Sequence, residues 1–112
     1  MKDGGKKRQV IRRMAAVLHA RYRPQQIILF GSYASGDAHK DSDIDLLIVK
    51  ATTKPFFKRL AEVRALVTDA RRGHPFEPVV VTPEELKRRL AGGDQFLAQI
   101  LRTGRRLDAA NS

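Results

Sequence analysis

Asp43 and Asp45 are separated by a single residue, Ile44, and the run behind them, Leu46-Leu47-Ile48-Val49, is wholly apolar. Successive side chains of an extended chain alternate between faces, so both carboxylates project to one side at the start of a strand. Two carboxylates that close repel each other unless a proton or a cation lies between them. Oxygen donors without histidine or cysteine partners suit a hard cation, Mg²⁺ or Mn²⁺ rather than zinc, and such an ion is held by one or two carboxylates plus phosphate oxygens. Upstream, Gly31-Ser32 follows directly on the apolar run Ile27-Ile28-Leu29-Phe30. A glycine there lets the backbone approach a phosphate, and the serine adds a hydroxyl donor. Glu77 opens a third apolar run, Pro78-Val79-Val80-Val81, and supplies a possible third carboxylate. Three carboxylates holding two divalent ions is an arrangement that runs in-line phosphoryl or nucleotidyl transfer.

These residues come together only if the elements between them have the right directions. Val10, Met14, Val17 and Leu18, widened by Ile11, predict a helix from about Lys6 to Tyr22, ended by Arg23-Pro24. A strand follows over Gln25 to Phe30, then a Gly/Ser/Asp-rich loop from Gly31 to Ser42 with room for a short helical turn. The second strand is predicted from Asp43 to Val49 and a helix from Pro55 to Arg72, closed by Gly73. Phe76 to Val81 reads as a third strand, and Thr82-Pro83-Glu84-Glu85 as a capping box opening a short helix that stops at Gly92-Gly93. A last helix spans about Asp94 to Thr103 and ends at Gly104. If the first strand ends at the site where the second begins, the two run antiparallel. If Glu77 joins them, the third strand lies parallel to the second, with the intervening helix as crossover. The expected fold is α+β: one domain over residues 1–112, a small mixed sheet backed by helices, with a core of about 6–91 and a C-terminal helix of about 94–103.

The 112 residues contain no cysteine, which excludes disulfides, zinc-thiolate centres and thiol nucleophiles. No signal peptide or apolar stretch of membrane-spanning length is evident, so a soluble, cytoplasmic chain is expected. Against 12 acids stand 22 Lys and Arg, a formal charge of +10. Such a surplus suits a polyanionic partner, yet no aromatic residues interleave with the basic runs as they do in single-strand stacking platforms. Arg12-Arg13, Arg71-Arg72, Lys87-Arg88-Arg89 and Arg105-Arg106 read as solvated helix faces, able to steer an anion. His19, His39 and His74 lack metal-ligand spacing and read as surface residues, although His39 and Lys40 lie in the loop facing the proposed site. Phe96, Leu97, Ile100 and Leu101 fit core or an interface with a partner or a second copy, a homo-oligomer, equally well.

The string Gly31-Ser32-Tyr33-Ala34-Ser35-Gly36, followed by Ser42-Asp43-Ile44-Asp45-Leu46-Leu47, resembles the signature of the minimal nucleotidyltransferase (MNT) family of the DNA polymerase beta superfamily. The similarity runs from about Val10 to Leu90 and includes Val79-Val80-Val81-Thr82-Pro83-Glu84-Glu85. It implies a polymerase-beta-like nucleotidyltransferase fold in which Gly31 and Ser32 hold the triphosphate of ATP. It also implies that Asp43 and Asp45 bind two magnesium ions, with a third acid on the third strand. That acid is usually Asp in relatives; here the matching residue is Glu77, a methylene longer and followed by proline. Some family members are antitoxins of HEPN-type RNase toxins, acting by transfer of AMP to a toxin tyrosine or by masking. The resemblance therefore implies Mg²⁺-dependent transfer of a nucleoside monophosphate to a hydroxyl on a partner protein. The alternatives are a binding module that only masks a toxin, or a basic nucleic-acid-binding protein.

Overall fold

The computed structural model describes residues 2–39 and 42–108, without the side chains of 2–4. In chain order the elements are α1 (Lys2–Arg21), β1 (Gln26–Phe30), α2 (Ser32–Ser35), β2 (Ile44–Val49), α3 (Phe56–Leu66), β3 (Phe76–Val81), α4 (Pro83–Ala91), α5 (Gln95–Thr103) and β4 (Arg105–Arg106). The four strands form one sheet in the order β3-β2-β1-β4. β1 and β2 pair antiparallel, and β2 and β3 parallel with α3 as the crossover between them. The fold is α+β, as the sequence predicts.

Strand alternation divides the core in two. Ile27, Leu29, Ile44, Leu46, Ile48, Phe76 and Val80 face α1 and α3, meeting Val10, Ile11, Met14 and Leu18 on one helix and Val63 on the other. Ile28, Leu47, Val49 and Val81 face α4 and α5, meeting Leu97 and Ile100, with Phe30, Val79, Leu86 and Leu90 at the margin. Burial on both faces accounts for the continuous apolar runs of β1 and β2, since a one-faced sheet would alternate. The question left by Phe96, Leu97, Ile100 and Leu101 resolves residue by residue: Leu97 and Ile100 are core, while Phe96 and Leu101 are exposed.

Four expectations are corrected. The first helix starts at Lys2 rather than Lys6, Gly4-Gly5 being accommodated inside it. α3 ends at Leu66 rather than Arg72. The Thr68 hydroxyl donates to the Arg64 carbonyl at 2.8 Å, taking the acceptor that its own N–H would use in a continuing helix; hydrogen-bonded turns carry the chain on to Gly73. Arg105-Arg106 is a short edge strand rather than a helix face, paired with Leu29 and Ile28. Gly104 admits that approach, because a Cβ there would press on the Ile28 side chain and the Ile100 carbonyl. His19 is half-buried rather than superficial, its Nε2 lying 2.7 Å from the Leu107 carbonyl and tying the last strand to α1.

The capping box is present in full: Thr82 accepts from the Glu85 N–H and the Glu85 carboxylate from the Thr82 N–H. Glu85 also accepts from Nη1 and Nη2 of buried Arg59, at 2.7 and 3.0 Å, while Arg59 Nε donates to the Lys54 carbonyl. One residue thus fastens α3 to the start of α4 at the end of the sheet where β2 and β3 finish. Among the described residues no helix is long and apolar enough to cross a membrane.

Candidate active site

The opposite end of the sheet is where β1 ends and β2 and β3 begin. Phe30 pairs with Asp45, and Asp45 with Glu77, so these three residues form a row across three strands. Alternation from Leu47 and Val79 places the row on the α4–α5 face, just beyond the apolar core of that face. Asp43 lies two residues before Asp45 and is exposed, whereas Asp45 is half-buried.

Gly31 turns the chain out of β1 with φ 74° and ψ −151°, a combination open essentially to glycine alone. A Cβ at Gly31 would overlap the Asp45 carboxylate oxygen Oδ2. The glycine therefore has two jobs: it permits the turn into α2, and it leaves the space that the Asp45 carboxylate occupies. Ser32 is the first residue of α2 and half-buried.

The Asp45 pKa is pushed up to about 6, first by burial and then by the negative charges of Asp43 and Glu77. The expected carboxylates therefore do gather around Asp45. They do not form a finished cage: among the described residues no three His, Asp or Glu side chains converge as ligands of one ion. Glu77 is 62% exposed, and its Oε2 lies 4.0 Å from Arg64 Nη2, on the flank away from Phe30. Hard oxygen donors and a carboxylate already destabilised by like charges fit a divalent cation at Asp43 and Asp45. Glu77 would join them by leaving Arg64.

Lys7 belongs to this end of the molecule and was not visible as a site residue from sequence. Only 8% exposed, it reaches from α1 to the loop, its Nζ 3.3 Å from the His39 carbonyl and 5.6 Å from the centre of the Tyr33 ring. The usable signal was its place on the apolar stripe of α1, three residues before Val10 and seven before Met14. His39 and Ser42 close the loop through paired bonds of 2.9 Å, His39 N–H to Ser42 Oγ and Ser42 N–H to the His39 carbonyl. Lys40, read from sequence as part of the loop facing the proposed site, and Asp41 lie outside the described residues.

A glycine turn leading off one strand toward paired acids on the next, at one end of a mixed sheet, is the frame of the candidate site. Residues 11–107 match the family described as "Nucleotidyltransferase domain", and the chain belongs to that family. It is similar to two Methanocaldococcus jannaschii proteins. "Putative protein adenylyltransferase MJ1379" is 35% identical over 48 residues, 43% of this chain and 48% of that protein. "Putative protein adenylyltransferase MJ0604" is 49% identical over 43 residues, 37% of this chain and 43% of that protein. The matched segments thus span less than half of either relative. The fold is shared with "a putative nucleotidyltransferase from Sulfolobus solfataricus", whose crystal structure superposes with a TM-score of 0.55 at 23% identity, covering 78% of this chain and 77% of that one.

Proposed function

We propose that this chain transfers a nucleoside monophosphate, AMP from ATP, to a hydroxyl on a partner protein, the new phosphoester forming as the α–β phosphoanhydride breaks and pyrophosphate leaves. The observation that carries the reading is the placing of Asp45 between Asp43, Glu77 and the Cβ-free space of Gly31. Membership of the nucleotidyltransferase domain family and the names of the two archaeal relatives support it. In this reading Gly31 and Ser32 receive the triphosphate at the turn into α2. Asp43 and Asp45 hold magnesium, which would offset the phosphate charge and lower the pKa of the acceptor hydroxyl. Glu77, released from Arg64, completes the ligand set and accepts the acceptor's proton. The MNT resemblance extends the proposal to the partner: a HEPN-type toxin, with this chain as its antitoxin.

Masking without transfer is the second reading, favoured by the engagement of Glu77 with Arg64. Incubation with α-labelled ATP and a co-expressed HEPN-type protein separates the two. Label on the partner that appears with Mg²⁺ and vanishes with EDTA supports transfer. A stable complex that stays unlabelled and needs no metal contradicts it.

A further inference from the structure

Phe96 is one of the few large apolar side chains left in solvent, 51% exposed at the start of α5. Its neighbours on that helix, Leu97 and Ile100, are buried in the core. Phe96 is not isolated, because its ring stands edge-to-face with Phe30, centroids 5.7 Å apart at 85°. Phe30 is the residue before Gly31 and the register partner of Asp45. Phe30 therefore borders the carboxylates on the β1 side, one strand spacing of about 4.8 Å from Asp45, and Phe96 lies beyond it, against its ring. The β3 side is bordered instead by Glu77 and Arg64, both charged.

A nucleotide whose phosphates sit at Gly31-Ser32 has these two flanks on which to lay its base. The charged flank offers Glu77, which the metal takes up in that reading, and the Arg64 guanidinium, but no ring. The aromatic flank offers a half-exposed ring supported from behind by a second ring, and a base has a π-face to place on it. We propose that Phe96, backed by Phe30, is the stacking ledge for the nucleotide base. The inference rests on the nucleotide-site reading and adds to it a residue that sets base affinity. Stacking strength follows ring surface and is tolerant of base identity, so purine nucleotides bind more tightly than pyrimidine nucleotides, and ATP and GTP nearly alike.

The test is calorimetric titration with ATP and with inorganic tripolyphosphate, in Mg²⁺, on wild type, Phe96→Ala and Phe96→Tyr. Phe96 is half-exposed, so its truncation leaves the core intact, which the melting curve checks. Phe96→Ala is expected to weaken ATP about tenfold while leaving tripolyphosphate unchanged, and Phe96→Tyr to retain ATP. Wild-type ATP affinity in Phe96→Ala, or an equal loss for both ligands, overturns the ledge. A wild-type protein that binds neither ligand overturns the nucleotide site itself, a separate failure.

Discussion

Asp45 and Glu85 are acids at opposite ends of one sheet, and the fold treats them in opposite ways. Glu85 is drawn down to about 2, chiefly by its bidentate bond to Arg59 and further by the Thr82 N–H. Asp45 is pushed up to about 6 by burial and by two further carboxylates. At the Glu85 end the chain supplies its own counter-charge and closes a capping box; the result is stability. At the Asp45 end acids converge beside a turn that glycine alone adopts without strain. Carboxylates without an ion-pair partner among the described residues, at a built position, mark where a cation from outside is expected to complete the arrangement.

The contrast can be broken from either side. The largest expected effect is on chemistry: Asp43→Asn or Asp45→Asn lowers the rate of metal-dependent transfer at least about a hundredfold, read as label incorporated per minute. Asp45→Asn should at the same time raise the stability of the metal-free protein. A folded-state pKa above the unfolded value of 3.8 means that stability is lost as pH rises from about 4 to 6. The gain is therefore about 1 kcal/mol at pH 7 after solvent screening and absent near pH 4, as urea titrations at both pH values will show.

At the other end, Arg59→Met should cost about 2–4 kcal/mol of unfolding free energy, because Arg59 is buried while Glu85 keeps some contact with water. Here the sign reverses. The depressed Glu85 pKa gives a contribution present above pH 4.5 and lost as pH falls toward 2. Wild type and variant should therefore converge in acid; a constant gap would show that Arg59 acts through packing alone.

A smaller effect sharpens the account within the site loop. Gly31→Ala should cost about 1–3 kcal/mol and weaken Mn²⁺ binding, since its Cβ displaces the Asp45 carboxylate. Gly36 also has positive φ, 86°, but open space around it. Gly36→Ala should lower stability by about 1 kcal/mol and leave Mn²⁺ affinity unchanged, as electron paramagnetic resonance titration can establish.

How much of this was legible beforehand depends on which force decides each feature. Strand alternation and chain direction put Asp43, Asp45 and Glu77 at one sheet edge, and both are written in the order of apolar runs and turns. The direction of the Glu77 side chain was not legible. Its carboxylate lies 4.0 Å from Arg64, whose reach depends on the rotational phase of α3. Lys7 and Arg59 were hidden for a related reason: each is a cation buried by a distant carbonyl or carboxylate, and local sequence reads such residues as solvated. β4 is two arginines long, with no apolar alternation to reveal it, and exists because Gly104 lets the chain close on β1.

The most direct test of the central claim is a pH titration of the Asp45 side-chain carboxyl by ¹³C NMR, with and without Mg²⁺. Without metal, Asp45 should titrate near 6; saturating Mg²⁺ should move its midpoint below that of an ordinary aspartate, since the cation favours the ionised form. A midpoint that stays near 6 in Mg²⁺ would contradict the account, because the carboxylate at the centre of the site would then hold no metal.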